Sequence, residues 1–312
     1  MQPPAYLPKI LALYDIPDAT LIAMQKGYRN QSHVLQLQSG TRCNLIIYKA
    51  EPGIVNLIKN ANAVSNFAAT RGLPTRRTAH PKITRLTTTK YAALYDYLPG
   101  DTIPWEAYTM AKIKALGECL GKLHGGLVSF NVTMLPDAAQ HNIALNQRIV
   151  HYFERTDVRL AMDQKLHVHI KKSDFTRLHQ LCAQLPDQQA LHLDFVRGNI
   201  LFKGDHICGI LDFEKTARGH RIIDVARTLA FLLVDCKFKP EAKIRKYFLQ
   251  SGYKKRGGQP LITQRIILEE LVNFYLLHDF YKFLRHNPYE SLLLNEHFVR
   301  TRDLLLRRGI LN

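Results

Sequence analysis

The sequence predicts an α+β protein of two lobes, a small β-rich lobe over residues 1–98 and a larger, mostly helical lobe over residues 99–312. Strand-like runs dominate the chain up to Leu98, and from Trp105 the apolar residues recur at helical spacing instead. Within the helical part, "LHLDFVRGNILFKGDHICGILDFE" (residues 191–214) returns to strand character. It carries His192, Asp194, Asn199 and Asp212 in surroundings that normally exclude such side chains.

The elements follow in order. "TLIAMQKGYRNQSHVLQL" reads as two strands around a polar turn with Gly27 and Asn30, and "SGT" (39–41) turns the chain into a further strand, "RCNLIIYK". Pro52-Gly53 ends that strand. Residues 54–70 place Ile54, Leu57, Ile58, Ala61, Val64, Phe67 and Ala68 at helical spacing, and Gly72 and Pro74 close the helix. More strand follows, to "YAALYDYLPG", and "DYLPGD" (96–101) connects the lobes. "WEAYTMAKIKALGECLGKLHGG" predicts an amphipathic helix stopped by Gly125-Gly126, with further helices over 138–185 and from 214 to the end.

Composition is that of an ordinary globular chain, 46% hydrophobic and 22% charged, without repeats or low-complexity tracts. The apolar runs are too short to span a membrane, and "MQPPAYLPKI" lacks the pattern of a signal peptide. Five scattered cysteines without a C-x-x-C suggest reduced thiols, hence a cytoplasmic protein. The net charge of +17 is the unusual feature. Basic residues cluster at 71–90 (Arg71, Arg76, Arg77, Lys82, Arg85, Lys90) and at 237–256, where Glu241 is the sole acid. Such clusters attract anionic partners, or simply form a solvated face.

The chemistry concentrates around Gly204-Asp205, which predicts a hairpin between "ILFK" and "HICGILD". With that turn midway, Asn199 and Asp212 come opposite each other, about 5 Å apart. An amide oxygen and a carboxylate suit Mg²⁺, which completes its octahedron with water and substrate phosphates. Asp194, on the turn feeding the hairpin, is placed to accept or orient a hydroxyl proton. In extended backbone His192 points to the same side and supports the loop by hydrogen bonding. A zinc site of His192, Asp194, His206 and Cys208 is disfavoured, because those residues fall on alternating faces.

The pattern His192-Leu193-Asp194-Phe195-Val196-Arg197-Gly198-Asn199, followed by "LDFE" (211–214) and "DVA" (224–226), resembles the aminoglycoside phosphotransferase/choline kinase/homoserine kinase-like superfamily. The likeness extends through "KGYRNQS", "LIIYK", "RGLPT", "LYDYLPG" and "LGECLGKLHG" in family order, from about residue 20 to 235. It implies a protein-kinase-like fold and a phosphoryl donor, ATP or GTP, bound with Mg²⁺ between the lobes. It implies Asp194 as the base or hydroxyl-orienting group, and Asn199 and Asp212 as metal ligands. Lys49 would contact the phosphates, Gly27, Asn30 and Ser32 would cover them, and the backbone of Asp96, Tyr97 and Leu98 would meet the purine. Arg197, inside the catalytic loop, would neutralise charge on the transferring group. Asp224 would be a helix N-cap or a buried acceptor steadying that loop.

One departure stands out. The family pairs its lysine with a Glu on the following helix, whereas residues 54–70 hold no acid, so either Glu51 takes the role, an Asn orients the lysine, or the pairing is absent. The acceptor would be a small hydroxylated molecule bound by the helices at 138–185 and 262–300. Glu269, Glu270, Asp279 and Tyr275 there are candidates to hold an amine, yet the overall charge argues against a polycationic acceptor. The rival reading is a non-catalytic kinase-like protein that binds nucleic acid or another polyanion through its basic surface, with Tyr247 and Tyr253 beside the second cluster.

Overall fold

The side chains of "RCNLIIYK" alternate between two apolar environments, which is the pattern of a strand covered on both faces. The computed structural model, which describes residues 4–26, 30–256 and 264–312, puts this strand at the centre of a sheet. Helix α1 (Leu7–Leu13) precedes β1 (Thr20–Lys26), β2 (Gln31–Gln36) and β3 (Arg42–Lys49); then come α2 (Ile54–Thr70), β4 (Thr84–Thr87) and β5 (Lys90–Asp96). The five strands form one antiparallel sheet in the order β1-β2-β3-β5-β4. Leu45 and Ile47 of β3 pack with Leu7, Ile10 and Leu11 of α1. Ile46 and Tyr48 face the other way, onto Ile58 of α2.

After the 96–101 connector the helical lobe begins with α3 (Met110–Leu127). It starts later than the sequence predicts, because Trp105–Ala107 forms a separate 3-10 turn and Thr109 caps the helix by accepting from the Lys112 amide at 3.1 Å. It also runs through Gly125-Gly126 rather than stopping there. Leu127 is fully buried, and a Cβ on Gly126 would meet Leu73 Cδ1 at 2.9 Å, so the glycine serves close packing.

Helices α4 (Ala138–Glu154), α5 (Thr156–Leu166) and α6 (Thr176–Gln184) follow. Strand β6 (Gln188–Leu191) pairs with β9 (Ala217–His220), and between them β7 (Ile200–Lys203) and β8 (His206–Ile210) form the hairpin. The chain ends in α7 (Ile222–Asp235), α8 (Glu241–Arg245), a π-helical stretch (Lys246–Tyr253), α9 (Lys254–Arg256), α10 (Arg265–His286), α11 (Tyr289–Leu292) and α12 (Glu296–Arg307). One large apolar core runs from α3 to α12 and reaches Ala61, Val64 and Ala68 of α2, which joins the lobes. Among the described residues no helix is long and apolar enough to cross a membrane, and all five cysteines are free.

The hairpin register differs from the sequence expectation. The turn at Gly204-Asp205 pairs Lys203 with His206, a register that would set Asn199 opposite Ile210; a bulge between Leu201 and Phe202 then shifts it by one, so Ile200 faces Ile210 and the Leu211 amide donates to the Asn199 carbonyl at 2.8 Å. Asn199 therefore lies opposite Leu211, and Asp212 stands one residue further on, where the backbone turns left-handed (φ 56°).

Candidate active site

The loop from β6 to β7 is built on one buried carboxylate. Asp224, in the first turn of α7, does not cap that helix; it accepts the backbone N–H groups of His192 (2.7 Å) and Leu193 (3.1 Å). His124 of α3 approaches the same carboxylate at 3.3 Å, and its other ring nitrogen meets the Tyr253 hydroxyl at 2.8 Å. Burial alone would raise the Asp224 carboxyl, but His124 and the His192 amide hold it below the usual carboxylate range. These bonds hold Leu193 in a left-handed conformation (φ 57°), so the loop is not extended here as the sequence suggests.

His192 ties loop to hairpin. Its Nδ1 accepts the Asp194 amide at 3.2 Å, which makes Nε2 the donor to the Leu211 carbonyl at 3.0 Å. Burial pushes the ring below the ordinary histidine pKa despite Asp224, Asp194 and Asp212 nearby. His192 is a positioning residue.

Asp194 is nearly buried and faces several donors. Asn199 Nδ2 donates to its carbonyl (3.0 Å) and to its Oδ2 (3.1 Å). Lys215 Nζ reaches Oδ1 at 2.7 Å and Arg227 reaches it at 3.4 Å. Burial pushes the carboxyl up, yet Lys215 and Arg227 outweigh it and keep Asp194 below the usual carboxylate range. Sequence reasoning missed both cations. The signal was present: Lys215 directly follows "LDFE", and Arg227 lies one helical turn after Asp224, on the face turned to the loop. Arg197, expected to neutralise charge on the transferring group, is engaged elsewhere; its Nε pairs with the buried Asp235 at 3.2 Å.

The donor set fits a hard divalent cation. Asn199 uses its amide nitrogen on Asp194, which leaves Oδ1 as its free-facing donor, and Asp212 adds a carboxylate that also accepts the Glu214 amide at 3.3 Å. The described residues contain no group of three or more His, Cys, Asp or Glu side chains able to hold a metal by themselves, so the zinc arrangement is not formed.

The small-lobe wall corrects a larger expectation. Lys49 is exposed and alternates with Ile47 on the α1 face; its register partner Lys90 lies over the Tyr6 ring on that same side. The side chain that β3 turns toward the cleft is Tyr48. Its hydroxyl donates to Tyr95 (2.8 Å), which donates to Asn62 of α2 (2.9 Å). Burial pushes the Tyr48 phenol well above its ordinary value and raises that of Tyr95, so both stay protonated. Glu51 is exposed at the turn before α2, and Asn62 holds the position facing Tyr95.

The cation on this wall is Arg76. The segment around it is clamped to α2: Ser65 donates to the Arg76 carbonyl, Thr75 to the Ser65 carbonyl (2.7 Å), and Asn66 exchanges bonds with Thr78 at 2.9 Å. The Ile210 amide donates to Pro74 at 2.7 Å, which couples the segment to β8. The guanidinium lies 4.2 Å from the Tyr95 ring centre and lines a narrow cavity with Tyr48, Asn62, Asp212 and Glu214.

The remaining predicted residues scatter. Asn30 crosses the cleft to donate to Glu214 Oε1 at 2.6 Å, and Ser32 donates to Asn44 at 2.7 Å. The Asp96 amide donates to the Arg77 carbonyl, Tyr97 lies under Arg42, and Leu98 is half-buried in the connector. Gly27 lies outside the described residues. The basic runs do not form uniform faces: Arg76 turns into the cleft, and Arg245 is neutralised by Glu241 and Glu269.

Known proteins of this fold include an amicoumacin kinase solved with AMP-PNP and Ca²⁺, at 14% identity and a TM-score of 0.71 over 97% of this chain and 93% of that one. The aminoglycoside phosphotransferase APH(4)-Ia shares 13% identity with a TM-score of 0.61, covering 97% of this chain and 98% of its own. A macrolide 2'-phosphotransferase from Brachybacterium faecium follows at 14% and 0.57, with 95% of each chain covered. No curated protein matches the chain in sequence. The phosphotransferase enzyme family (APH) does match it, over residues 22–250. That span takes in both walls of the cleft and the loop that holds Asp194, and the chain belongs to this family.

Proposed function

We propose that the protein transfers the γ-phosphoryl group of ATP or GTP to a hydroxyl of a small molecule. Residues 1–98 form the nucleotide-covering lobe and residues 99–312 the catalytic and acceptor lobe. The observation that carries this reading is Asp194, oriented by Asn199 and His192 beside a hairpin that offers Asn199 Oδ1 and Asp212 as hard oxygen donors. In the reaction the acceptor oxygen bonds to the γ-phosphorus as the bond to the β–γ bridging oxygen breaks. That electron pair leaves with the nucleoside diphosphate, and the hydroxyl proton passes to Asp194. A carboxylate with a lowered pKa is a weak base, so Asp194 acts mainly by orienting the hydroxyl and takes the proton late.

Mg²⁺ on Asn199 and Asp212 would neutralise phosphate charge when bound. The divalent ion and nucleotide analogue of the amicoumacin kinase complex support this reading. Arg76 takes the phosphate-contacting role expected of Lys49. The purine meets the backbone at Asp96, Tyr97 and Leu98, and Ser32 lies on the covering strand. Free cysteines support a reducing, cytoplasmic setting. The non-catalytic alternative, which rests on the net charge, is not favoured: the family and its structural relatives are phosphotransferases and kinases, and Arg76, Lys237 and Arg245 of the basic runs are engaged in separate contacts.

The test is calorimetric titration of ATP and GTP, each with and without Mg²⁺, into wild type and Asp212→Ala. Metal-dependent binding that weakens in the variant supports the reading, and its stronger nucleotide names the donor. A folded wild type that binds neither nucleotide overturns it.

A further inference from the structure

Beyond Asp194, where α7 packs against α10, basic side chains gather among aromatic rings. Arg227, with 11% of its side chain exposed, lies 5.4 Å from the Tyr275 ring centre and 5.8 Å from that of Phe231. It reaches Asp194 at 3.4 Å, while its buried Nε has no hydrogen-bond partner among the described residues. Lys282 Nζ stands 6.0 Å from the same Phe231 ring. His141 and Arg148 lie two turns apart on α4. His141 and His278 are both pushed below the ordinary histidine range, first by burial and then by surrounding cations, including Arg227. A cavity of about 560 Å³ is lined by Arg148, Tyr152, Tyr281 and Arg285 together with Arg155 and Asp157, which pair with each other.

The acids that the sequence offers for holding an amine are engaged elsewhere. Glu269 pairs with Arg245 and Arg308, Glu270 with Lys172, and Asp279 with His297 (2.8 Å) and Lys282 (3.0 Å). Tyr275 accepts from Asn142 at 3.0 Å. A polycation would meet Arg227, Lys282 and Arg148 there and, among the described residues, no carboxylate on α10 without a basic partner. An anion would meet the largely buried guanidinium of Arg227, where charge-assisted hydrogen bonds are strong, flanked by the more exposed Lys282 and Arg148.

We propose that the acceptor is a hydroxylated organic anion, whose phosphate or carboxylate is held by Arg227, Lys282 and Arg148 beyond Asp194. This inference rests on the kinase reading and names its substrate class.

The experiment first saturates the protein with Mg²⁺ and AMP-PNP, followed calorimetrically, and then titrates inorganic phosphate, acetate or spermine at constant ionic strength. The variant carries Lys282→Gln and Arg148→Gln, two exposed or half-exposed positions, with circular dichroism as the folding control. Saturable binding of phosphate or acetate, weakened about tenfold in the variant, is the expected result. The anion that binds more tightly assigns phosphate or carboxylate. The proposal is overturned if neither anion binds, if the variant binds them as wild type does, or if spermine binds more tightly than both. Failure of AMP-PNP to bind is seen in the first step and overturns the kinase reading itself.

Discussion

On the large-lobe wall of the cleft, the loop that presents Asp194 has a partner at each step: Asp224 under its backbone, His192 between loop and hairpin, Asn199 and Lys215 on the carboxylate. On the small-lobe wall, the lysine–glutamate pair that the family resemblance implies is replaced by Tyr48, Tyr95 and Asn62, and the positive charge arrives on Arg76 from a neighbouring segment. The reacting centre depends on angles and distances at one oxygen, so its scaffold tolerates little change. Phosphate neutralisation depends on a cation's presence in the cleft, and a guanidinium held by α2 can replace an ammonium on β3.

The comparison can be broken at several points. Under the proposed function Asp194→Asn removes the group that orients and deprotonates the acceptor, and we expect kcat to fall about a thousandfold in a coupled assay of nucleoside diphosphate release. A loss under tenfold would detach Asp194 from the chemistry. Asp224→Ala leaves two loop N–H groups and His124 without their acceptor, which should cost about 3–5 kcal/mol in denaturant unfolding. Cooperative unfolding near the wild-type midpoint would show that the loop does not depend on it.

The small-lobe side gives a paired test. Arg76→Ala should weaken nucleotide binding about ten- to a hundredfold, on the scale of a hydrogen bond to a charged group, whereas Lys49→Ala should leave it unchanged. The reverse order would restore the lysine to the cleft.

Acid should act on the large lobe. Burial pushes His179 and His220 down to about 4, so both stay neutral in the folded protein where unfolded histidine already binds a proton. The unfolded state then binds more protons, and stability is lost as pH falls from about 6.5 toward 4. Neither ring nitrogen of His179 has a hydrogen-bond partner among the described residues, and its ring packs 4.3 Å from that of Phe274. His179→Phe should therefore remove about 2 kcal/mol of that loss at pH 5, measured as the difference in unfolding free energy between pH 7 and pH 5. Parallel pH profiles for variant and wild type would assign the loss to other groups.

Much of this was legible in the chain. Helix α2 runs over the residues that the apolar spacing picks out, and the strands around residues 20–50 and the hairpin at Gly204-Asp205 follow their turn residues. Local signals settle such elements because backbone freedom and side-chain period act over a few residues. The errors share another cause. The start of α3 was set by a cap at Thr109, its end by packing against Leu73, and the partner of Asn199 by the register of the turn together with one bulged residue. Arg197 and Lys49 were assigned by position in a motif, yet Asp235 and the strand's alternation decide where their side chains go.

The sequence by itself determined the α+β architecture, the family, and the set of polar residues at the β6–β7 loop and the hairpin, because periodicity and motif spacing are properties of the chain. The tertiary structure alone decided which cations serve those residues. Arg76 and Arg227 come from segments remote from that loop, and even Lys215, next to "LDFE", is 21 residues from Asp194; such charges interact only where folding brings them within a few ångströms in a partly desolvated cleft.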